Sequence, residues 1–360
     1  MAETTGYRAV IDWIRNEIKA GNLKKGDRLP SEKDLCDQFG LSRQTVRHAT
    51  GELEKEGILN RVRGSGTYVG GNEPVLRQAK YRNVAVVSTY VDSYIFPPTI
   101  RGIESVLARA GYSVQLSFTD DLVSRERTAL QNLLDKDNID GLIIEPSKSA
   151  LPNPNLDLYR QLSDRKVPIL FFNAEYRDLH LPCIRIDDVQ AGRSATEVLI
   201  RAGHRKLFAI LHLEDEQGRL RYQGFTEAVS AAGLPLDDHG FFWLDSLQCR
   251  DLGRTADALF DRLKGHTGVL CYNDEVAFQL IQLALKRGIR IPQDLSVVSI
   301  DNSDLAEISP VPITSCLHPK EKLGIKAAEN LLKMIEDPSF NGSYLFPSTP
   351  CSRDSVRRMV

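Results

Sequence analysis

The sequence predicts a small α+β domain at the N terminus, followed by a larger two-lobed α/β domain whose parallel sheets are covered by helices. Residues 1–70 show three short stretches of helical periodicity and then a glycine-centred hairpin pattern. From residue 84 onward, short apolar runs alternate with amphipathic helical ones, which is typical of parallel sheets. The polar stretch GNEPVLRQAKYRN lies between them. We therefore predict domains at 1–70 and 84–360, joined by a linker at 71–83.

The first helices are marked by apolar spacing and by capping residues. Apolar residues recur at helical spacing in the first segment, at Tyr7, Val10, Ile11, Ile14 and Ile18. Ser31 precedes the second segment and Asp34 follows three residues later, a variant of the capping box. Gly40 is placed to end that helix. Ser42 is the predicted N-cap of the third segment, whose apolar stripe consists of Val46, Ala49 and Leu53.

The second and third segments form a helix-turn-helix pattern, because only Gly-Leu-Ser separates them. The face opposite the apolar stripe of the third helix carries Arg43, Gln44, Arg47 and His48. In the major groove of DNA, arginine pairs with guanine and glutamine pairs with adenine. The sequence therefore predicts that this helix reads DNA bases.

A hairpin pattern follows the third helix in GILNRVRGSGTYV. Ile58–Arg63 and Thr67–Val69 are predicted strands around a turn at 64–66. Such a hairpin is a wing. Its arginines, Arg61 and Arg63, can contact phosphates, and its glycines allow the backbone to approach a minor groove.

Two arginines on one helix, taken alone, are more often a solvated face than a DNA-binding one. The charge gives only weak support, because residues 1–80 hold 14 Lys and Arg against 11 Asp and Glu. The complete order of elements is more specific, and it resembles the winged helix-turn-helix of GntR-type transcription regulators. The residues that carry the resemblance are LPSEKDLCDQFGLSRQTVRHATGELEKEGIL and RGSGTYV. The predicted DNA-binding residues are Glu32, Arg43, Gln44, Thr45, Arg47, Arg61, Arg63 and Gly66.

The composition is that of an ordinary globular protein, with 42% hydrophobic and 26% charged residues. Six cysteines are scattered without a C-x-x-C pair, so we expect reduced thiols and no zinc site. The start MAETTGYRAVIDW lacks the basic head and apolar run of a secretory signal. No stretch approaches the ~20 apolar residues of a membrane helix. We expect a cytoplasmic protein with no cofactor, metal or membrane partner.

The second domain contains enough strand and helix patterns for two sheets. We predict one lobe from about 84 to 188 together with the C-terminal segment, and the other from 189 to 315. Ligands of open α/β sheets bind beyond the carboxyl ends of the strands. The polar and aromatic residues expected there are Tyr90, Tyr94, Phe96, Glu145, Lys148, Phe172, Asn173, Gln217, Arg221, Asn273 and Asp301.

This set of residues suits a sugar. Charged groups and amides bond hydroxyls in pairs, and an aromatic ring covers the C–H face. Any single polar residue at a strand end can equally be a cap or part of a solvated loop. The set as a whole, however, predicts an effector site for a sugar.

The second domain resembles the effector domain of LacI-type regulators, which is related to periplasmic sugar-binding proteins. The resemblance lies in RYQGF, CYNDEVAF, LSVVSIDNSDLA and ITSCLHP. It implies that Arg221, Asn273 and Asp301 contact the effector. The usual Gly-Tyr-Asp-Asp of that family is replaced here by Ser-Ile-Asp-Asn at 299–302. Asp301 is retained, while its neighbours differ.

A GntR-type head on a LacI-type effector domain resembles the AraR-type family of bacterial arabinose repressors over essentially the whole chain. YIFPPTIRGIES, IDGLIIEPSKSAL and LCYNDE carry this likeness. The resemblance implies a homodimeric repressor that L-arabinose releases from operator DNA, because regulators of sugar use respond in this way. Closure is expected to hinge near Ile186–Gln190 and Thr314–His318.

Three other functions are compatible with parts of the sequence. An enzyme could use Asp187-Asp188 and Asp274-Glu275 as metal carboxylates. The chain nevertheless lacks a phosphate loop, H-E-x-x-H and G-x-S-x-G, so we predict no enzymatic activity. A transport component would need export, for which the N terminus carries no signal. Another pentose, a hexose or a purine could replace L-arabinose in the same architecture.

Overall fold

The computed structural model describes residues 3–24, 26–62, 66–70, 80–91 and 94–359. The chain divides into two compact units, Met1–Leu76 and Arg77–Val360. Much of the predicted linker, residues 71–79, lies outside the described residues, and so does the tip of the predicted wing, residues 63–65. None of the described helices has the length and apolar character that crossing a membrane requires.

The N-terminal unit is a winged helix-turn-helix. Its elements are α1 (Glu3–Lys19), α2 (Glu32–Phe39), α3 (Arg43–Lys55), β1 (Leu59–Val62) and β2 (Gly66–Val69). The two strands pair antiparallel. Ser31 accepts a hydrogen bond from the backbone N of Asp34, whose carboxylate accepts one back from Ser31, so the predicted capping box is confirmed. The core contains the predicted apolar stripe of the third helix, Val46, Ala49 and Leu53, together with Val10 and Ile14 of α1 and Leu35 of α2.

The N lobe of the second unit is built on one six-stranded parallel sheet. Its strands are β3 (Asn83–Ser88), β4 (Ser113–Phe118), β5 (Gly141–Ile144), β6 (Ile169–Phe172), β7 (Cys183–Ile186) and β13 (Tyr344–Phe346). Their order across the sheet is β13-β7-β6-β5-β3-β4. The covering helices are α4 (Phe96–Arg109), α5 (Val123–Lys136), α6 (Leu156–Asp164) and α13 (Lys320–Glu336). Apolar clusters fill both faces of the sheet, as expected for strands that are apolar throughout.

The C lobe repeats this architecture. Its strands are β8 (Leu207–His212), β9 (Phe241–Leu244), β10 (Gly268–Cys271), β11 (Ser296–Asp301), β12 (Thr314–Leu317) and β14 (Pro350–Cys351). They are arranged as β14-β12-β11-β10-β8-β9, and only the β12–β14 pair is antiparallel. The helices are α7 (Asp188–Arg201), α8 (Glu216–Ala231), α9 (Ser246–Arg250), α10 (Ala256–Leu263), α11 (Asp274–Lys286) and α12 (Asp304–Ile308). The predicted pair of parallel sheets is thereby confirmed.

The described chain passes between the lobes at three places. The first, at Asp187, lies within the predicted hinge Ile186–Gln190. The second, at 318–319, begins only at the last residue of the predicted hinge Thr314–His318, because its other residues form β12. The third passage, at 347–349, joins β13 of the N lobe to β14 of the C lobe. The sequence did not predict these strands, because segments of three and two residues are too short to show a period.

Candidate functional sites

The recognition surface is the exposed face of α3 together with the neighbouring wing strand. Arg43, Gln44, Arg47 and His48 are all exposed on this face, as the apolar stripe predicts. Thr45 is less exposed, because its backbone N and hydroxyl both bond the N-cap hydroxyl of Ser42, at 3.2 and 2.9 Å. The first turns of α3 therefore offer long polar side chains to solvent.

Glu32 connects α3 with the wing. Both of its carboxylate oxygens lie 2.9 Å from Nε of Arg47, and Nη2 of Arg61 donates to Oε1 at 2.6 Å. The hydrogen bond from Arg47 lowers the pKa of Glu32, so this carboxylate is charged at neutral pH. Two cations predicted to bind DNA are thus held by one acid, which lies at the start of α2.

Gly66 has a structural reason to be glycine. Its φ is 135°, and a Cβ there would lie 2.8 Å from Nε of Arg28. A larger residue would push Arg28 away from the wing strand. Arg63 lies outside the described residues, so its phosphate contact stays a prediction.

The effector cleft is a cavity of about 380 Å³ between the two lobes of the second unit. Residues from the carboxyl ends of strands in both sheets line it, as expected for open α/β sheets. Nine of the predicted effector-binding residues come together here: Tyr90, Tyr94, Phe96, Glu145, Asn173, Gln217, Arg221, Asn273 and Asp301.

Arg221 is the central cation of the cleft. Its Nε donates to Oδ1 of Asp188 at 2.9 Å, and its Nη2 lies 3.4 Å from Oδ1 of Asp301. All three side chains are at most 5% exposed. Although burial opposes it, the two carboxylates raise the pKa of Arg221, which therefore stays charged. Tyr272 adds a backbone carbonyl as acceptor at 2.5 Å and a ring 4.8 Å from the guanidinium.

Close helix packing positions this arginine. A Cβ at Gly192 of α7 would lie 2.4 Å from the carbonyl oxygen of Arg221 on α8. Only glycine allows the two helices to approach this closely, so that Arg221 reaches both Asp188 and Asp301. The arrangement is thus determined by the α7–α8 contact as well as by charge.

Asp301 also receives a contact from the opposite lobe. The hydroxyl of Tyr94, in the N lobe, donates to Oδ2 of Asp301 and accepts a bond from the backbone N of Asp274 at 3.2 Å. Burial raises the pKa of Tyr94 well above its ordinary value, so the phenol remains a donor. Asp301 is therefore a point where the two lobes meet inside the cleft.

A second buried chain of polar groups starts at Glu145. It accepts hydrogen bonds from the backbone N and hydroxyl of Thr89 and from Nδ2 of Asn173, the last at 2.7 Å. Oδ1 of Asn173 lies 3.2 Å from Nε2 of His318. Burial raises the pKa of Glu145 to about 7 and lowers the pKa of His318 to about 4, so His318 is neutral.

Charge and hydrogen-bonding capacity limit what this cleft can bind. The described lining side chains include seven carboxylates (Asp120, Asp121, Glu145, Asp188, Asp215, Glu275 and Asp301) and two arginines (Arg221 and Arg250). An anionic ligand such as a sugar phosphate would be repelled. Three buried side-chain polar atoms of lining residues have no hydrogen-bond partner among the described residues: Asp188 Oδ2, Gln217 Oε1 and His318 Nδ1. Because buried polar atoms are normally bonded, these three are available to a neutral, polyhydroxylated ligand.

Two predicted effector residues are wrong. Phe172 points into the N-lobe core and is 0% exposed, because side chains alternate along β6 and its side chain lies on the α13 face of the sheet. Lys148 is not among the residues that line the cavity. Its Nζ lies 2.5 Å from Oε2 of Glu214, so it forms an ion pair between the lobes.

Several lining residues were not predicted as effector contacts. Asp188 was predicted only as a metal ligand of a rival enzyme and as part of a hinge, and His318 only as part of a hinge. Asp215, His212 and Tyr272 form a hydrogen-bonded group next to Arg221, with contacts of 2.7 and 3.0 Å. Asp188 could have been found, because it begins a helix directly after a strand end. Tyr272 could have been found in the same way, because it directly follows β10 and precedes the predicted Asn273.

Two family models match the chain. Bacterial regulatory proteins of the gntR family match residues 6–69, and a periplasmic binding protein-like domain matches residues 196–356. A DNA-binding head of the gntR type followed by a periplasmic binding protein-like domain is the domain composition of a bacterial transcription regulator.

Full-length relatives identify the family. The chain is 36% identical to the arabinose metabolism transcriptional repressor of Geobacillus stearothermophilus, covering 97% of this chain and 96% of the relative. It is 34% identical to the protein of the same name from Halalkalibacterium halodurans, over 92% and 90% of the two chains. The chain belongs to the family of arabinose metabolism transcriptional repressors. It is a DNA-binding transcriptional repressor, and the prediction that it is not an enzyme is confirmed by these relatives.

Solved structures confirm the fold of the effector domain. The regulator CcpA of Lactococcus lactis matches 76% of this chain and 99% of its own, with a TM-score of 0.68 at 24% identity. A lac repressor dimer bound to operator matches 77% and 95%, with a TM-score of 0.65 at 21% identity. At these identities the likeness shows the fold alone.

Proposed function

We propose that this repressor binds L-arabinose in the effector cleft and releases its operator when the sugar is bound. Residues 1–70 would contact the operator, and residues 84–360 would bind the sugar. The observation that carries the proposal is the buried Asp188–Arg221–Asp301 group beside three acceptor atoms that no described residue satisfies.

The chemistry of this group matches a free sugar. Each sugar hydroxyl donates one hydrogen bond and accepts another, and the cleft places carboxylates next to the arginine and the amide of Asn273. Tyr90 and Phe96, with ring centres 5.4 Å apart, supply an aromatic wall. Among the neutral sugars, L-arabinose is the choice that membership in the family of arabinose metabolism repressors supports.

Binding would act through the relative position of the two lobes. Both lobes contribute to the cleft, and the described part of the chain passes between them at three short segments. A sugar that bonds Asp301 from one lobe and Glu145 from the other favours the closed arrangement. In a homodimer on a palindromic operator, closure would change the spacing of the two DNA-binding heads. By linkage, operator DNA must weaken sugar binding by the same factor.

Calorimetric titration of the full-length protein tests the ligand. We expect a saturable heat with L-arabinose and none with D-xylose, D-galactose or D-ribose. Asp301→Asn should abolish this heat, whereas Asp294→Asn, at an exposed carboxylate outside the cleft, should leave it unchanged. Heat with a different sugar, and none with L-arabinose, would contradict the choice of ligand. Silence with all four would contradict the sugar site itself.

A further inference from the structure

Asp301 and Asn302, at the end of β11, adopt an unusual backbone conformation. Their φ values are 107° and 44°, in the region that side chains other than glycine rarely adopt. Two such residues in succession are unfavourable unless the surroundings hold them. This conformation begins at Asp301, the last residue of a buried strand, whose carboxylate lines the cleft.

Lys320 holds both residues in place. Its Nζ donates to the backbone oxygen of Asp301 at 2.8 Å and to that of Asn302 at 2.7 Å. A further bond, from the backbone N of Asn302 to the hydroxyl of Ser315 at 2.9 Å, fixes the peptide between Asp301 and Asn302 from its other side. Charged donors make stronger hydrogen bonds than neutral ones, so the ammonium is the dominant support.

Lys320 belongs to the other lobe. It is the first residue of α13, which packs in the N-lobe core, whereas the two carbonyls that it bonds end a C-lobe strand. Burial lowers the pKa of Lys320, and the negative charge of Asp301 opposes this effect. Both effects agree with a partly buried ammonium next to the end of β11.

We propose that Lys320 is a positioning residue for the effector site, holding the left-handed Asp301–Asn302 backbone so that the Asp301 carboxylate meets Arg221 and the sugar. Lys320 itself does not line the cleft. It acts through Asp301, and it links the sugar-binding end of β11 to the first turn of α13. This inference rests on the proposed sugar site.

The test compares three variants of the full-length protein by calorimetry with L-arabinose. Lys320→Met keeps the length of the side chain but removes its donors, and it should weaken sugar binding about tenfold or more. Lys320→Arg keeps a charged donor and should stay within about threefold of the wild type. Lys322→Met, at an exposed lysine on the same helix, is the matched control and should bind like the wild type. Operator affinity without sugar should be unchanged in all three.

Two results would overturn the proposal. One is wild-type sugar affinity in Lys320→Met. The other is an equal loss in Lys320→Arg and Lys320→Met, because a merely structural role would not be rescued by another charged donor.

A measurement without sugar separates this inference from the proposed function. Amide hydrogen exchange should become faster around residues 300–303 in Lys320→Met and remain unchanged there in Lys322→Met. If the wild type binds no sugar at all, the proposed function fails, and this exchange result alone decides the role of Lys320. Unchanged exchange at 300–303 would contradict it.

Discussion

The two functional regions contain similar charged groups in opposite surroundings. On the recognition surface one acid, Glu32, holds two arginines whose side chains are 60% and 48% exposed. In the effector cleft one arginine, Arg221, is held by two acids, and all three are buried. The first group is accessible to a large polyanion. The second lies at the wall of an internal cavity, where the proposed ligand is a small neutral molecule.

This difference determines how easily each group changes partner. An exposed ion pair contributes about 0–1 kcal/mol, so Arg47 and Arg61 can exchange Glu32 for DNA at little cost. A buried pair loses about 3–5 kcal/mol when one partner is removed, because the other charge remains without compensation. DNA binding by the recognition surface should therefore weaken as the salt concentration rises. The stability of the cleft should fall when a single charge is removed.

The largest effect is expected for Arg221→Met. Asp188 and Asp301 would lose their shared cation, so sugar binding should disappear and the unfolding free energy of the effector domain should fall by about 3–5 kcal/mol. Calorimetry and denaturant unfolding measure the two effects. Arg201→Met, at an exposed position of α7, is the control and should change neither. Retained sugar binding in Arg221→Met would show that the buried group does not form the site.

Since unfolding of Arg221→Met would by itself abolish sugar binding, Arg221→Lys provides a second variant. It keeps the charge but cannot bond Asp188 and Asp301 through separate nitrogens of one plane. We expect a folded repressor that still binds operator and no longer responds to sugar. An anisotropy titration with labelled operator measures this.

A smaller effect concerns the pH dependence of the buried region. Burial lowers the pKa of His318 from 6.5 to about 4. Between these two pH values the imidazole is therefore protonated in the unfolded chain and neutral in the folded protein. The stability contributed by neutral His318 is present above pH 6.5 and is lost as the pH falls toward 4. This loss should amount to about 3 kcal/mol relative to His318→Gln.

Tryptophan fluorescence can follow this unfolding in the effector domain. The chain has two tryptophans, Trp13 and Trp243, so a Trp13→Phe background reports on the second domain alone. Equal pH dependence with and without His318 would contradict the assignment of a buried neutral imidazole.

The smallest of these effects is expected on the recognition surface. Arg47→Ala should weaken operator binding by about 1–3 kcal/mol and reduce its salt dependence, with sugar affinity unchanged. Arg290→Ala removes an exposed ion pair of the effector domain and serves as the charge-matched control. If Arg47→Ala altered sugar affinity as much as operator affinity, the separation of the two regions would be wrong.

The two regions also differed in how far the sequence could predict them. The head was predicted nearly element by element, because its caps, stripe and turn are local signals, such as Ser31 with Asp34. In the cleft, Glu145 and Asp301 were predicted from strand ends and Arg221 from the start of a helix, and the structure places all three in the lining. Phe172 was placed wrongly because a continuous apolar strand does not show which face a side chain takes. Tyr272 was missed although it directly follows β10, because the prediction took the polar residue Asn273 from that strand end.

The measurement that tests the central claim is the affinity for labelled operator DNA as L-arabinose is added, followed by fluorescence anisotropy at constant salt. We predict that the operator complex dissociates with saturable dependence on L-arabinose, that D-xylose has no effect, and that Asp301→Asn abolishes the response. An operator complex that persists at saturating L-arabinose, or that becomes tighter, would contradict the account.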